Sequence, residues 1–88
     1  MTEQDAINQL KNEGFKDVKV VNMPAGKTLG QHTHDQITEH IILEGELFIT
    51  DEDGTKIYEK GDRIEFPAGT SHSGAIGNEP FSMVVGNR

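Results

Sequence analysis

Residues 31–45 read QHTHDQITEHIILEG and hold three of the chain's four histidines, His32, His34 and His40. On a β-strand, residues two apart point to the same face about 6.5 Å apart, so the spacing of His32 and His34 projects two imidazoles side by side. Two imidazoles on one face can chelate a metal ion. Alone they are more simply a pair of surface histidines, and a metal site needs a third donor from elsewhere in the chain. The run Ile41-Ile42-Leu43 that follows has the texture of a strand buried on both faces.

A third donor is offered by GDRIEFPAGTSH, Gly61 to His72. Gly61-Asp62 makes a turn, Arg63 to Phe66 alternates as a strand, Pro67-Ala68-Gly69 breaks it, and His72 begins the next strand. Elsewhere the chain is punctuated in the same way. From Phe15 onward, short β-type runs alternate with turn residues, which points to a barrel or sandwich. Asp53-Gly54, between LFIT and TKIY, predicts a hairpin with a type I′ turn, which needs φ > 0 at both central positions. Ahead of this, Thr2 and Asp5 have the spacing of a capping box. Ala6, Ile7 and Leu10 line one side of a short helix that Gly14 would end. The predicted organisation is an N-terminal helix within residues 1–14 and an antiparallel β-barrel over residues 15–88, forming a single domain. The GKT of residues 26–28 belongs to no phosphate loop, because Val21 stands where that loop needs a glycine and no helix follows.

Composition narrows the chemistry. In 88 residues there is no cysteine, so disulfides, thiolate metal sites and cysteine nucleophiles are excluded. Eight Lys and Arg against fifteen Asp and Glu give a net charge of −7, with the basic residues scattered singly. Nucleic acid and anionic membrane surfaces are poor partners for such a chain. No stretch of 18 apolar residues occurs, and MTEQDAINQL contains no apolar leader segment, so the expected location is the cytoplasm.

The two histidine-bearing segments resemble the cupin superfamily. The first cupin motif, G(x)5HxH(x)3–4E(x)6G, is matched by Gly26, His32, His34 and Gly45. The second, G(x)5PxG(x)2H(x)3N, is matched by Gly61, Pro67, Gly69 and His72. The resemblance runs from about residue 18 to the end of the chain. It implies an all-β fold, a small antiparallel jelly-roll barrel, with His32, His34 and His72 converging inside. It also implies one divalent transition metal there (Fe, Mn, Zn, Ni, Co or Cu) and a small-molecule ligand in the barrel. Two positions depart from the pattern. The asparagine is replaced by Ile76. Counted back from Gly45, the metal-binding glutamate falls on Thr38; counted forward from His34, it falls on Glu39. A one-residue step reverses the face, so a regular strand turns Thr38, His40 and Ile42 inward and Glu39, Ile41 and Leu43 outward. Glu39, brought back by a bulge, and His40 are the candidate fourth ligands. The expected arrangement is three histidines, with His40 lining the pocket without touching metal.

Such a site fits two functions. One is a metal-dependent oxygenase or isomerase acting on a small polar organic molecule, with no catalytic base identifiable beyond His40. The other is a non-catalytic ligand- or metal-binding module, with or without a metal. Outward Ile41 and Leu43 and unpaired sheet edges also predict a homodimer. Light scattering at micromolar concentration should therefore return twice the chain mass; a monomer mass would refute it.

Overall fold

Thr2 meets the requirement of the capping-box pattern: its hydroxyl accepts the Asp5 N–H at 3.1 Å, and the Asp5 carboxylate accepts the Thr2 N–H at 3.1 Å. That closure begins helix α1, Glu3–Asn12, in a computed structural model that describes residues 1–88. Ala6 and Leu10 are fully buried, and Phe15 follows them into the same apolar cluster after the chain turns at Gly14.

Eight strands follow: β1 Lys16–Met23, β2 Thr28–His32, β3 Thr38–Glu44, β4 Glu46–Asp51, β5 Gly54–Glu59, β6 Arg63–Phe66, β7 His72–Ile76 and β8 Phe81–Asn87. They form two four-stranded sheets, ordered β1-β8-β3-β6 and β2-β7-β4-β5, with every pairing antiparallel. The jelly roll expected from the motifs is therefore present. Its core lies between the sheets and is built from Met23, Ile42, Leu47, Ile49, Ile64, Phe66, Ile76, Phe81, Met83 and Val85.

The chain passes from the first sheet to the second at a sharp corner. Gly45, between β3 and β4, has φ +82°, and a Cβ there would sit 2.7 Å from the Pro80 carbonyl oxygen. Both the backbone conformation and the lack of space demand glycine. Leading into this corner, β3 is buried from Thr38 to Leu43. Its inward side carries Thr38, His40 and Ile42. Its outward side carries Ile41 and Leu43, which join Val84 and the helix residues Ala6 and Leu10 in a second apolar cluster.

Three expectations from the sequence change here. His32 and His34 do not share a strand: β2 ends at His32, and a bend at Asp35-Gln36 carries the chain across to the other sheet before β3 begins at Thr38. The β4–β5 turn is not type I′ around Asp53-Gly54. Its two turn residues are Glu52 and Asp53, neither with positive φ, and only Gly54 (φ +114°) takes the left-handed side. The Asp51 carboxylate accepts the Asp53 N–H at 2.8 Å, a side-chain turn that competes with the type I′ geometry. Finally, Ile41 and Leu43 do not need a second chain for cover. They are only 3% and 9% exposed beneath their own chain's α1.

An ion-pair chain fastens the helix to the sheet. Arg63 on β6 donates through Nε to Glu39 Oε1 at 2.9 Å, and through its terminal nitrogens to both carboxylate oxygens of Glu13 at the helix C-cap. The guanidinium holds the Glu13 carboxyl down to about 2. Glu39 is buried, and its Oε2 has no partner. Removing the cation strands that carboxylate, so Arg63→Met should cost about 3 kcal/mol, whereas Glu13→Gln at the exposed, solvent-screened end should cost clearly less. Replacing Glu39 by Leu in the Arg63→Met background should restore most of the loss. Urea denaturation of the three variants checks the pattern, and equal costs for Arg63→Met and Glu13→Gln would refute it.

Candidate metal centre

The sheet register assembles the three histidines. His32 ends β2 and His72 starts β7, and the two are direct cross-strand partners. His34 comes from the loop after β2, and the second motif holds that loop in place: the Gly69 N–H donates to the His34 carbonyl at 2.8 Å. The far end of the loop is fixed by paired backbone bonds between Ile37 and Arg88. As a result the ring centroids of His32 and His72 lie 4.4 Å apart, those of His32 and His34 4.9 Å, and those of His34 and His72 5.8 Å. One nitrogen from each ring lies within 4.8 Å of the others.

The environment favours free lone pairs. Burial is the largest cause lowering the pKa of His34 and of His72, and the neighbouring imidazoles add to it, so both rings resist protonation. His32 Nδ1 lies 2.7 Å from the Gly30 carbonyl oxygen. That acceptor puts the proton on Nδ1 and leaves the Nε2 lone pair free, the usual way in which a backbone carbonyl orients a metal-binding imidazole. On His72, Nδ1 is buried with no protein partner.

The cluster opens into a cavity of about 290 Å³ between the sheets. Leu29, Leu47, Ile49, Val85 and Phe66 give it apolar walls. Larger surface hollows, one around Glu44, Glu46, Glu59 and Glu79 and another around Thr50 to Asp53, are lined mainly by acidic and hydroxyl side chains and hold no histidine.

His40 and Thr38 line the same cavity, but His40 stands outside the three-histidine group. Its Nε2 is 3.3 Å from the Thr38 hydroxyl and its Nδ1 3.4 Å from Met83 Sδ. Burial, reinforced by the other three histidines, pushes its pKa down to about 4. Glu39 is on the opposite face of β3, bonded to Arg63. Phe66, at the end of the strand read from Arg63 to Phe66, also orders the site. It stacks on His72 at 4.0 Å and 13° and receives the edge of His40 at 5.1 Å. Lys19 and Asn87 were not singled out from the sequence, and Met83 reads there as core, yet all three line the cavity. The signal for Met83 was its alternation with Phe81 and Val85 along β8.

A family profile described as "Cupin domain" matches residues 19–86. Acireductone dioxygenase from Cronobacter sakazakii is 35% identical over 96 residues, covering 93% of this chain and 53% of that protein. This chain thus spans about half the length of the curated relatives it matches. Among solved structures, the DMSP lyase DddQ from Ruegeria pomeroyi superposes with a TM-score of 0.73 at 30% identity, over 81% of this chain and 36% of that one. A Thermotoga maritima protein with a TM-score of 0.71 and 24% identity covers 92% of this chain and 90% of its own, a likeness of fold.

The buried neutral His40 makes stability pH-dependent. With its folded pKa near 4, below the ordinary 6.5, the unfolded chain takes up the proton first. Its contribution is present above about pH 6.5 and is lost as the pH falls toward 4. Between pH 7 and 5 this one group should remove about 2 kcal/mol of stability. Chemical denaturation at both pH values should show a clearly smaller loss for His40→Leu; an identical loss would show that His40 is not held neutral.

Proposed function

This chain belongs to the cupin superfamily, and from that premise we propose that it binds one divalent transition metal through His32, His34 and His72 and acts on a small organic molecule held in the barrel. The observation that carries this reading is the convergence of three imidazoles, the only such histidine group, at the wall of an otherwise apolar cavity. The donor set fits a first-row transition ion: burial and the neighbouring imidazoles disfavour protonation of His34 and His72, His32 is oriented by the Gly30 carbonyl, and His72 has a buried nitrogen without a partner. A bound ion would supply Lewis-acid polarisation of a substrate oxygen and coordination positions for small reactants.

The chain's own residues do the rest. Apolar side chains exclude water from the reacting end. The Thr38 hydroxyl, a weak donor for such an ion, leaves coordination to the histidines and to the substrate. His40 faces the ligand as a neutral hydrogen-bonding group whose orientation is set by Thr38, Met83 and Phe66. Resemblance to acireductone dioxygenase supports an oxygenase-type reaction. The competing reading, a non-catalytic binding module, is favoured by the absence of any carboxylate from the cavity wall.

Metal content of untagged protein prepared without chelator should approach one ion per chain and fall at least tenfold in affinity in His72→Ala. Glu39→Gln should leave it within a few-fold of the parent, and His40→Ala should alter ligand binding or turnover but not metal content. Undiminished binding by His72→Ala would sink the proposal. Because protons compete for imidazole, affinity should also fall between about pH 7 and 5.

A further inference from the structure

The cavity inverts the charge of the molecule around it. The chain has fifteen acidic residues and a net charge of −7, yet no Asp or Glu lines the cavity; its one fixed charge is the ammonium of Lys19. Lys19 stands on β1 at a position the strand turns inward. Val18 and Val20 on either side pack into the cluster beneath α1, while Val21 and Met23 continue the inward side into the core. A register shift between Lys16 and Lys19 sets this alternation and brings Lys19 opposite Val85. The next row of the sheet carries Asn87 opposite Thr38, and both also line the cavity. No ion pair engages Lys19: the carboxylates that meet a basic side chain, Glu13, Glu39 and Glu65, go to arginines.

Lys19 is exposed on the edge strand β1, so its ammonium stays in water at the rim of the cavity while its side chain lines it. A positive charge at the rim of a cavity that no carboxylate lines favours an anion inside it, with Asp35 confined to the adjoining hollow. We infer that Lys19 is the specificity-determining residue of the cavity. The ligand it selects is a small monoanionic carboxylate, with its charge at Lys19 and Asn87 and a short apolar body directed toward the three histidines. The volume of about 290 Å³ lies at the small end of ligand-binding cavities, which fits a molecule of this size. This inference rests on the proposed function only for what the far end of the ligand meets.

The test uses butanoate and its neutral isostere butanamide, titrated by heteronuclear NMR into the zinc-loaded protein and again after dialysis against chelator, so that carboxylate affinity owed to the ion is separated from that owed to Lys19. Zinc content is recorded alongside. In the metal-free parent, butanoate should bind at least tenfold more tightly than butanamide. Lys19→Met should bring butanoate to the level of butanamide without changing butanamide affinity or zinc content, and Lys19→Arg should keep the preference. Equal affinities in the parent, or a preference that survives in Lys19→Met, would overturn the inference. A parent that keeps the Lys19-dependent preference but takes up no zinc supports it and overturns the metal reading instead.

Discussion

The parity of β3, fixed at its end by Gly45, governs both faces of this molecule. Because neither a side chain nor an ordinary backbone conformation fits at the corner, the strand cannot slip there. Beyond the register shift between Ile42 and Glu44, the unshifted alternation of Thr38 to Ile42 decides which residues enter the barrel and which lie beneath the helix. Both sides are buried, so a slip by one residue would put His40 and Thr38 under α1 and force Glu39, Ile41 and Leu43 into the cavity. The outer cluster and the inner site are two consequences of one register.

That geometry explains which parts of the sequence could be read. Thr2 and Asp5 disclosed α1 because capping is a local hydrogen-bond pattern. The two glycine-and-histidine motifs disclosed the jelly roll because their turns occur at fixed offsets. The facing of residues 38–42 follows strict alternation because they pair with β6 and β8 without a shift; the one irregularity of β3 lies after them, between Ile42 and Glu44. Counting forward from His34 crosses the bend at Asp35-Gln36, where strand parity has no meaning, and so pointed to Glu39. The same bend is why His34 reaches its neighbours from a loop and not along a strand.

What stayed hidden was mostly non-local. Nothing near Ile41 or Leu43 announces that a helix thirty residues earlier will cover them. Nor does the Asp-Gly pair at 53–54 reveal that the Asp51 carboxylate has already chosen a different turn. Lys19 is disguised by a register shift early in β1, so that alternation counted from Phe15 loses its phase before reaching it. Phe66 reads as ordinary core, and only the fold shows it stacked on His72. In each case the deciding contact comes from a distant segment, or from a side chain competing with the backbone pattern.

Thr38 occupies the inward position at which the cupin pattern has its glutamate, in the same cavity wall as the three histidines and within reach of His40. The backbone there would present a carboxylate to the cluster, but the side chain it carries is a hydroxyl. A single replacement at residue 38 would place an acid beside three imidazoles without moving a strand, whereas the glutamate one position later is bound into the attachment of the helix and is not available for recruitment. One substitution at that position therefore changes the chemistry the cavity wall offers while everything that folds the barrel stays the same.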